Sequence, residues 1–373
     1  MQYNLLIASA SAGAGHVRAA SALKRAFEAA GHAGSAEAVD VLDHMTPWFR
    51  TSYLRSYYSV ISRAPSYWRH LYERWDRTPA QGLQRRAIWL WDRLNAGRFI
   101  RLIREQQFTH IVCTHFLPAE LAAWMRRTGR IEAPVGVIVT DYDAHRIWIN
   151  EGTDRYFVAS GELRELLVSK GAPAGRVVAT GIPIDPVFSE PMARAAARAE
   201  LGLDPELPAV LVVAGAGAGD MERTVAAVAA CGPLQILAVT RHDEKLRQAL
   251  EQLPLPSGVR LVAYGFVDFM HKLMAAADLI VTKPGGMSTT ECLARGLPMI
   301  LTIPIPGQEE KNSAFLVGSG AALPAGTPED VRTVVGDLLG DRSRLDRMKQ
   351  AARAAARPRA AFDIIDGILA ATA

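Results

Sequence analysis

Apolar runs recur along this chain at short intervals. Each is followed by a turn of small residues and then by apolar positions at helical spacing. The first unit is a strand over Tyr3–Ala8, a turn over Ser9–Gly15 and a helix from about His16 to Ala30. The runs Ile111–Thr114, Val135–Thr140, Arg155–Ala159 and Val177–Thr180 continue the series, with helices predicted from about Pro118 and over 161–171. Gly181, Pro183 and Pro186 then fall close together, which reads as an ordered linker. A helix over 191–201 opens a second series, with strands at Ala209–Ala214, Gln235–Val239, Arg260–Ala263, Leu279–Val281 and Met299–Ile303. An Ala/Arg-rich helical region covers 341–373. Runs that are apolar throughout suit parallel strands buried on both faces. Two successive series of βα units predict an α/β protein with two doubly wound, Rossmann-like domains facing a cleft. The expected domains are 1–187 and 188–354, with a helix at about 355–373 packing back on the first.

Composition agrees with that division. At 373 residues the chain is too long for one core, and 49% of it is apolar, enough to fill two. No run of 18 or more apolar residues predicts a transmembrane helix, and the amino terminus lacks the basic region and cleavage site of a signal peptide. Cys113, Cys231 and Cys292 lie far apart with no metal spacing, so a reducing cytoplasm is the simplest setting. The net charge of +4 is too small to imply nucleic acid by itself. Its distribution is more informative. Residues 48–104 interleave Trp, Tyr and Phe with many arginines and hold only three acids, Glu73, Asp76 and Asp92. The segment reads as helices broken around Pro65 and Pro79. This mixture suits the headgroup layer of an anionic membrane; single-stranded nucleic acid, or an ordinary helical pair with its rings turned inward, would use it too.

Candidate chemistry gathers at the turns. After Leu279–Val281 come Pro284-Gly285-Gly286, the hydroxyls Ser288, Thr289 and Thr290, and a helix over roughly 288–296 closed by Gly296 and Pro298. A strand, a glycine turn and a helix start offer unpaired amides and the positive end of a helix dipole to phosphate. Glu291, further along, could accept from a ribose diol. Pro306 to Glu310 forms a polar cluster beyond the next strand, at the end where open α/β sheets bind ligands. His16 stands at a helix start, where its charged form is disfavoured; it reads either as a proton acceptor or as a plain capping histidine. Gly215-x-Gly217-x-Gly219 is a weak dinucleotide fingerprint with no acid placed for the ribose. Asp141-Tyr142-Asp143 has the DxD form of a metal–diphosphate site, but a phosphate-binding helix start makes a metal unnecessary, and none is expected.

Taken together, these motifs resemble the diacylglycerol glycosyltransferases, that is, the bacterial processive diacylglycerol glucosyltransferases and the plant monogalactosyldiacylglycerol synthases of GT-B architecture. The resemblance covers nearly the whole chain. It rests on the Gly-x-Gly-His loop ending at His16, Thr140-Asp141 with His145 and Trp148, Thr180-Gly181-Ile182-Pro183-Ile184, Lys283-Pro284-Gly285-Gly286 with Thr290-Glu291, and Pro306-Gly307-Gln308-Glu309. The family often carries more glycine where this chain has Ala12 and Ala14, and a Gly-Lys/Arg-Asn-type turn where it has Thr240-Arg241-His242.

The resemblance implies an inverting, metal-independent transfer of glucose or galactose from a UDP-sugar to diacylglycerol, once or processively, with no cofactor. Gly285, Gly286, Ser288 and Thr289 would bind the diphosphate and Glu291 the ribose. Gln308 and Glu309 would hold the sugar, and the backbone near Phe266 would meet the uracil. His16 would deprotonate the acceptor, with Asp141 as rival or helper. Segment 48–104 would grip the cytoplasmic face of the membrane, making the protein peripheral. Three alternatives stay open: N-acetylglucosamine transfer to another lipid-linked acceptor, a UDP-sugar epimerase on the same architecture, and a non-catalytic UDP-sugar sensor.

Overall fold

The computed structural model describes residues 2–63, 65–77, 83–213 and 221–371. The break around Pro79 and the Gly215-x-Gly217-x-Gly219 turn lie outside the described residues, as do the side chains of Tyr57, Tyr58, Arg63, Tyr67, Arg77, Arg85 and Arg86. The chain forms two compact units. The first comprises Met1–Pro186, Ile305–Gln308 and Arg357–Ala373; the second comprises Val187–Pro304 and Glu309–Ala356.

In the first unit the elements run β1 (Tyr3–Ser9), α1 (Ala14–Ala29), β2 (Gly34–Asp40), α2 (Pro47–Arg63), α3 (Pro65–Arg77), α4 (Leu83–Asn95), α5 (Gly97–Gln106), β3 (His110–Cys113), α6 (Phe116–Arg127), β4 (Val135–Ile138), β5 (Arg155–Val158), α7 (Gly161–Ser169) and β6 (Val177–Ala179). The strands make one parallel sheet in the order β2-β1-β3-β4-β5-β6. Leu5, Leu6, Ile7 and Ala8 of β1 are fully buried, the two-sided burial that a continuous apolar run anticipates. β2 has no such run in sequence: it is an edge strand, GSAEAVD, with most side chains in water, held by its ladder to β1.

The second unit continues with α8 (Arg194–Glu200), β7 (Ala209–Val213), α9 (Met221–Ala229), β8 (Leu234–Val239), α10 (Glu244–Glu251), β9 (Val259–Tyr264), α11 (Met270–Ala276), β10 (Leu279–Thr282), α12 (Gly286–Arg295), β11 (Met299–Leu301), α13 (Gln308–Gly318), β12 (Ala322–Pro324), α14 (Pro328–Gly340) and α15 (Arg342–Ala355). Its parallel sheet has the order β12-β11-β10-β7-β8-β9, the doubly wound arrangement that reverses beside its first strand. Val210, Val212, Ile236, Val281 and Ile300 from this sheet meet Val225, Val331, Val335 and Leu345 from its helices in one core.

A last helix, α16 (Ala360–Leu369), belongs to the first unit. Its Ile364, Ile365 and Ile368 are fully buried against Leu5, Ile7, Leu23 and Phe27. Two glycines let it come close. A Cβ at Gly136 of β4 would lie 2.9 Å from Ile368 Cδ1, and one at Gly367 would lie 2.9 Å from the Phe157 ring.

Two local expectations change. The helix after Pro284 begins at Gly286, two residues early, because Gly285 in extended backbone (φ −76°, ψ 133°) is already its cap. The Pro306–Glu310 cluster is not a free loop: α13 starts at Gln308, and Glu309 is buried.

Candidate functional site

Each sheet reverses its strand order once, and His16 and the Pro284-Gly285-Gly286 turn lie in loops flanking those reversals. In the first unit the reversal lies between β1 and β3. The loop after β1 enters α1, whose third residue is His16. His16 Nδ1 lies 2.7 Å from the Thr114 carbonyl oxygen at the end of β3 and 3.1 Å from Thr140 Oγ1 after β4. A carbonyl only accepts, so Nδ1 carries the proton and Nε2 keeps the lone pair. Thr114 Oγ1 donates to the His16 carbonyl at 2.9 Å, tying the helix start to the same strand end.

The edge of His115 meets the His16 ring with centroids 4.6 Å apart, and Trp148 lies at 6.3 Å. Burial pulls the His16 pKa from 6.5 down to about 4, with the Thr114 hydrogen bond opposing it. His115 is held neutral by burial and by His16. The sequence argument for a neutral His16 relied on the helix dipole; packing is the larger cause. His115 was not singled out in sequence, although its place one residue past the β3 run is the same signal that marks Asp141 after β4.

Asp141 follows Thr140 directly and is partly exposed. Asp143 is buried, and its carboxylate accepts from the Tyr72 hydroxyl at 3.0 Å. The DxD tripeptide therefore has one of its acids bonded within the fold. Among the described residues no group of three or more His, Cys, Asp and Glu side chains is placed to hold a metal.

In the second unit the reversal lies between β7 and β10, and β10 runs into Lys283-Pro284-Gly285-Gly286. The first amides of α12 belong to Gly286, Met287 and Ser288, at the positive end of the helix. Thr289, expected at the phosphate, is placed otherwise. It is fully buried, its N–H bonds the Gly285 carbonyl at 3.1 Å, and its hydroxyl donates to the same carbonyl at 2.8 Å. As the fourth residue of the helix it has begun the regular ladder and has no group left facing the turn. Thr290 likewise donates to the Gly286 carbonyl at 2.7 Å. Glu291 lies on the inward face, 2% exposed.

Glu309 is 4% exposed and its Oε1 is 2.6 Å from Lys283 Nζ. Asn312 Nδ2 donates to the Pro284 carbonyl at 3.0 Å. The start of α13 is thus fastened to the glycine turn. A Cβ at Gly285 would make only ordinary contacts, 3.8 Å to Glu309 Oε1 and 3.9 Å to Lys283 Cε, so folding alone does not demand glycine there. Gln308 precedes Glu309 and is partly exposed. Phe266, after β9, is 69% exposed and stacks on His242 from the loop after β8, with centroids 4.9 Å apart and planes 9° apart. The two rings give the carboxyl edge of the sheet an aromatic platform.

Two doubly wound parallel sheets, with a neutral histidine at the reversal of one and a phosphate-type helix start at the reversal of the other, define a glycosyltransferase of the GT-B class. Acinetobacter baumannii MurG shares the fold, with a TM-score of 0.63 at 18% identity over 99% of both chains. A UDP-GlcNAc 2-epimerase from Neisseria meningitidis, solved with UDP-GlcNAc, has a TM-score of 0.61 at 13% identity, over 98% of this chain and 99% of that one. These likenesses concern the fold.

Sequence narrows the class. Residues 16–184 match the monogalactosyldiacylglycerol (MGDG) synthase family and residues 209–363 the glycosyltransferase family 28 C-terminal domain. The processive diacylglycerol beta-glucosyltransferase of Bacillus subtilis (strain 168) is 31% identical over 268 residues, 71% of this chain and 70% of the relative. That of Bacillus licheniformis is 28% identical over 355 residues, 93% and 89%. The chain belongs to the family of processive diacylglycerol glucosyltransferases.

Proposed function

We propose that this glycosyltransferase moves a hexose, glucose or galactose, from a UDP-sugar to the hydroxyl of diacylglycerol at an anionic membrane surface, with inversion and without a metal. The observation that carries the reading is His16. Its Nδ1 proton is committed to Thr114 and its Nε2 lone pair remains, the tautomer needed to accept a proton from an alcohol. In the reaction Nε2 takes the hydroxyl proton, the oxygen bonds the anomeric carbon, and the carbon–oxygen bond to UDP breaks with its electrons going to the diphosphate. Asp141, next in chain to Thr140, is assigned to assist.

The leaving diphosphate is assigned to the amides of Gly286, Met287 and Ser288 and the Ser288 hydroxyl, at the positive end of α12. This revises the sequence expectation by giving up Thr289 and keeping Gly285 as the bare approach. Lys283 supplies further positive charge, and Glu291 is assigned to the ribose. Gln308 and Glu309 are assigned to the hexose, with Lys283 fixing the direction of Glu309. The Phe266–His242 platform is assigned to the uracil.

Membrane contact is assigned to α4 and the start of α2. Trp48 is 62% and Leu94 69% exposed, Leu90 and Trp91 are each 48% exposed, and the Trp48 and Trp91 rings meet at 5.6 Å. Leu90, Trp91 and Leu94 share one face of α4 by their spacing, while Arg98 and Arg101 of α5 are exposed. An apolar face with aromatics and nearby arginines fits a helix lying in the headgroup layer. No helix among the described residues is long and apolar enough to cross a membrane.

The test is a thin-layer assay with diacylglycerol in anionic vesicles and labelled UDP-glucose or UDP-galactose offered separately. A labelled glycolipid is expected from one donor, and a ladder of products would show repeated transfer. Free sugar-nucleotide conversion without glycolipid would replace this reading with an epimerase.

A further inference from the structure

Residues 140–148 form the loop that shapes the surroundings of His16, and its contacts alternate between two sides. Thr140 and Trp148 face His16. The residues between them are held by α3. Tyr72 donates its hydroxyl to Asp143 at 3.0 Å, and its ring lies 4.2 Å from that of His145. The Tyr72 carbonyl is 2.8 Å from His145 Nε2, and His145 Nδ1 accepts from the Ile147 amide at 3.0 Å, so Nε2 is the donor. One turn further on, Asp76 accepts from the Arg146 amide at 2.9 Å and from Lys170, just past the end of α7, at 2.6 Å.

We infer that α3 is a positioning element for the transfer reaction, with Tyr72 as its principal positioning residue: it fixes the 140–148 loop so that Thr140 and Trp148 hold His16 in register. The inference rests on the proposed role of His16. It goes further by making the Arg/aromatic segment part of the catalytic architecture as well as a candidate membrane contact. Because α3 packs on α2, whose start is assigned to the membrane, the vesicle surface has a mechanical route to the base. The Tyr72 phenol stays protonated for this task, because burial and the neighbouring Asp143 and Asp141 push its pKa well up.

The test pairs turnover with loop protection in the full-length protein. Tyr72→Phe keeps the ring and the carbonyl contact and removes one hydroxyl bond; Asp76→Asn loosens the other tether. Each variant is expected to lower kcat by roughly tenfold while leaving KM for the UDP-sugar and partition onto anionic vesicles unchanged. Amide hydrogen exchange over 140–148 should speed up in both, with global melting little altered. A variant with wild-type kcat and unchanged exchange overturns the inference. So does a loss of kcat that is matched by loss of vesicle binding, since α3 would then be only a membrane contact. If the wild type transfers no sugar to diacylglycerol, the functional reading fails, and the exchange measurement still decides whether α3 fixes the loop.

Discussion

His16 joins two demands that pull apart. The base must be neutral at working pH and must also have an appetite for a proton. Burial meets the first by lowering the pKa to about 4, and the lone pair left on Nε2 by the Thr114 hydrogen bond serves the second. His16→Ala is expected to leave UDP-sugar affinity nearly intact and to lower kcat by roughly 10²–10⁴-fold, read by titration calorimetry beside the assay; full activity would transfer the role to Asp141. Glu291→Ala should weaken UDP binding by roughly 1.5–3 kcal/mol through loss of a charged acceptor, and unchanged affinity would remove the ribose assignment. Gly285→Ala separates folding from binding. The melting temperature should hold, because the added methyl meets only ordinary contacts, while KM for the donor rises.

The element scale shows what pattern does and does not reveal. β1 and β10 are legible because both faces of a central parallel strand are apolar. β2 sits at a sheet edge, where water-facing side chains erase that signature. The Pro284-Gly285-Gly286 turn is legible because small residues there leave the backbone to act. The pairs that set the candidate site are not: Lys283 finds Glu309 across 26 positions and Tyr72 finds Asp143 across 71, and local spacing carries no information about either. For the same reason the polar cluster around Glu309 gives no sign in sequence that Glu309 is buried. α4 offers a test of its own. Burial beside Glu120 raises the Asp92 pKa to about 7. A carboxyl with a raised folded pKa costs stability as pH climbs from its unfolded value near 3.8 through about 7. Asp92→Asn should therefore raise the melting temperature at pH 8 and change it little at pH 4; equal shifts at both would show that packing, not charge, is responsible.

At the scale of the molecule, several histidines of the first unit share one electrostatic direction. His16, His110, His115 and His145 all have pKa values lowered chiefly by burial. A lowered histidine contributes stability in full above the unfolded value near 6.5 and loses it as pH falls toward the folded value, here about 4 for His16. His16 alone contributes on the order of 2–3 kcal/mol over that window. Thermal unfolding at pH 5 should fall well below that at pH 7.5, and His16→Gln should flatten the slope.

α16 closes the core of the first unit, and Ile368→Ala should cost about 2–5 kcal/mol through the cavity left under β4. That placement also governs the order of assembly on the ribosome. Domains made first usually fold first, during synthesis. Here the chain of the second unit intervenes between those strands and α16, so the first sheet emerges with one side of its core unfilled. It waits, exposed to chaperones and to any lipid surface nearby, until translation has passed Arg357. Newly made protein should therefore become protease-resistant over 209–355 before it does over 3–180.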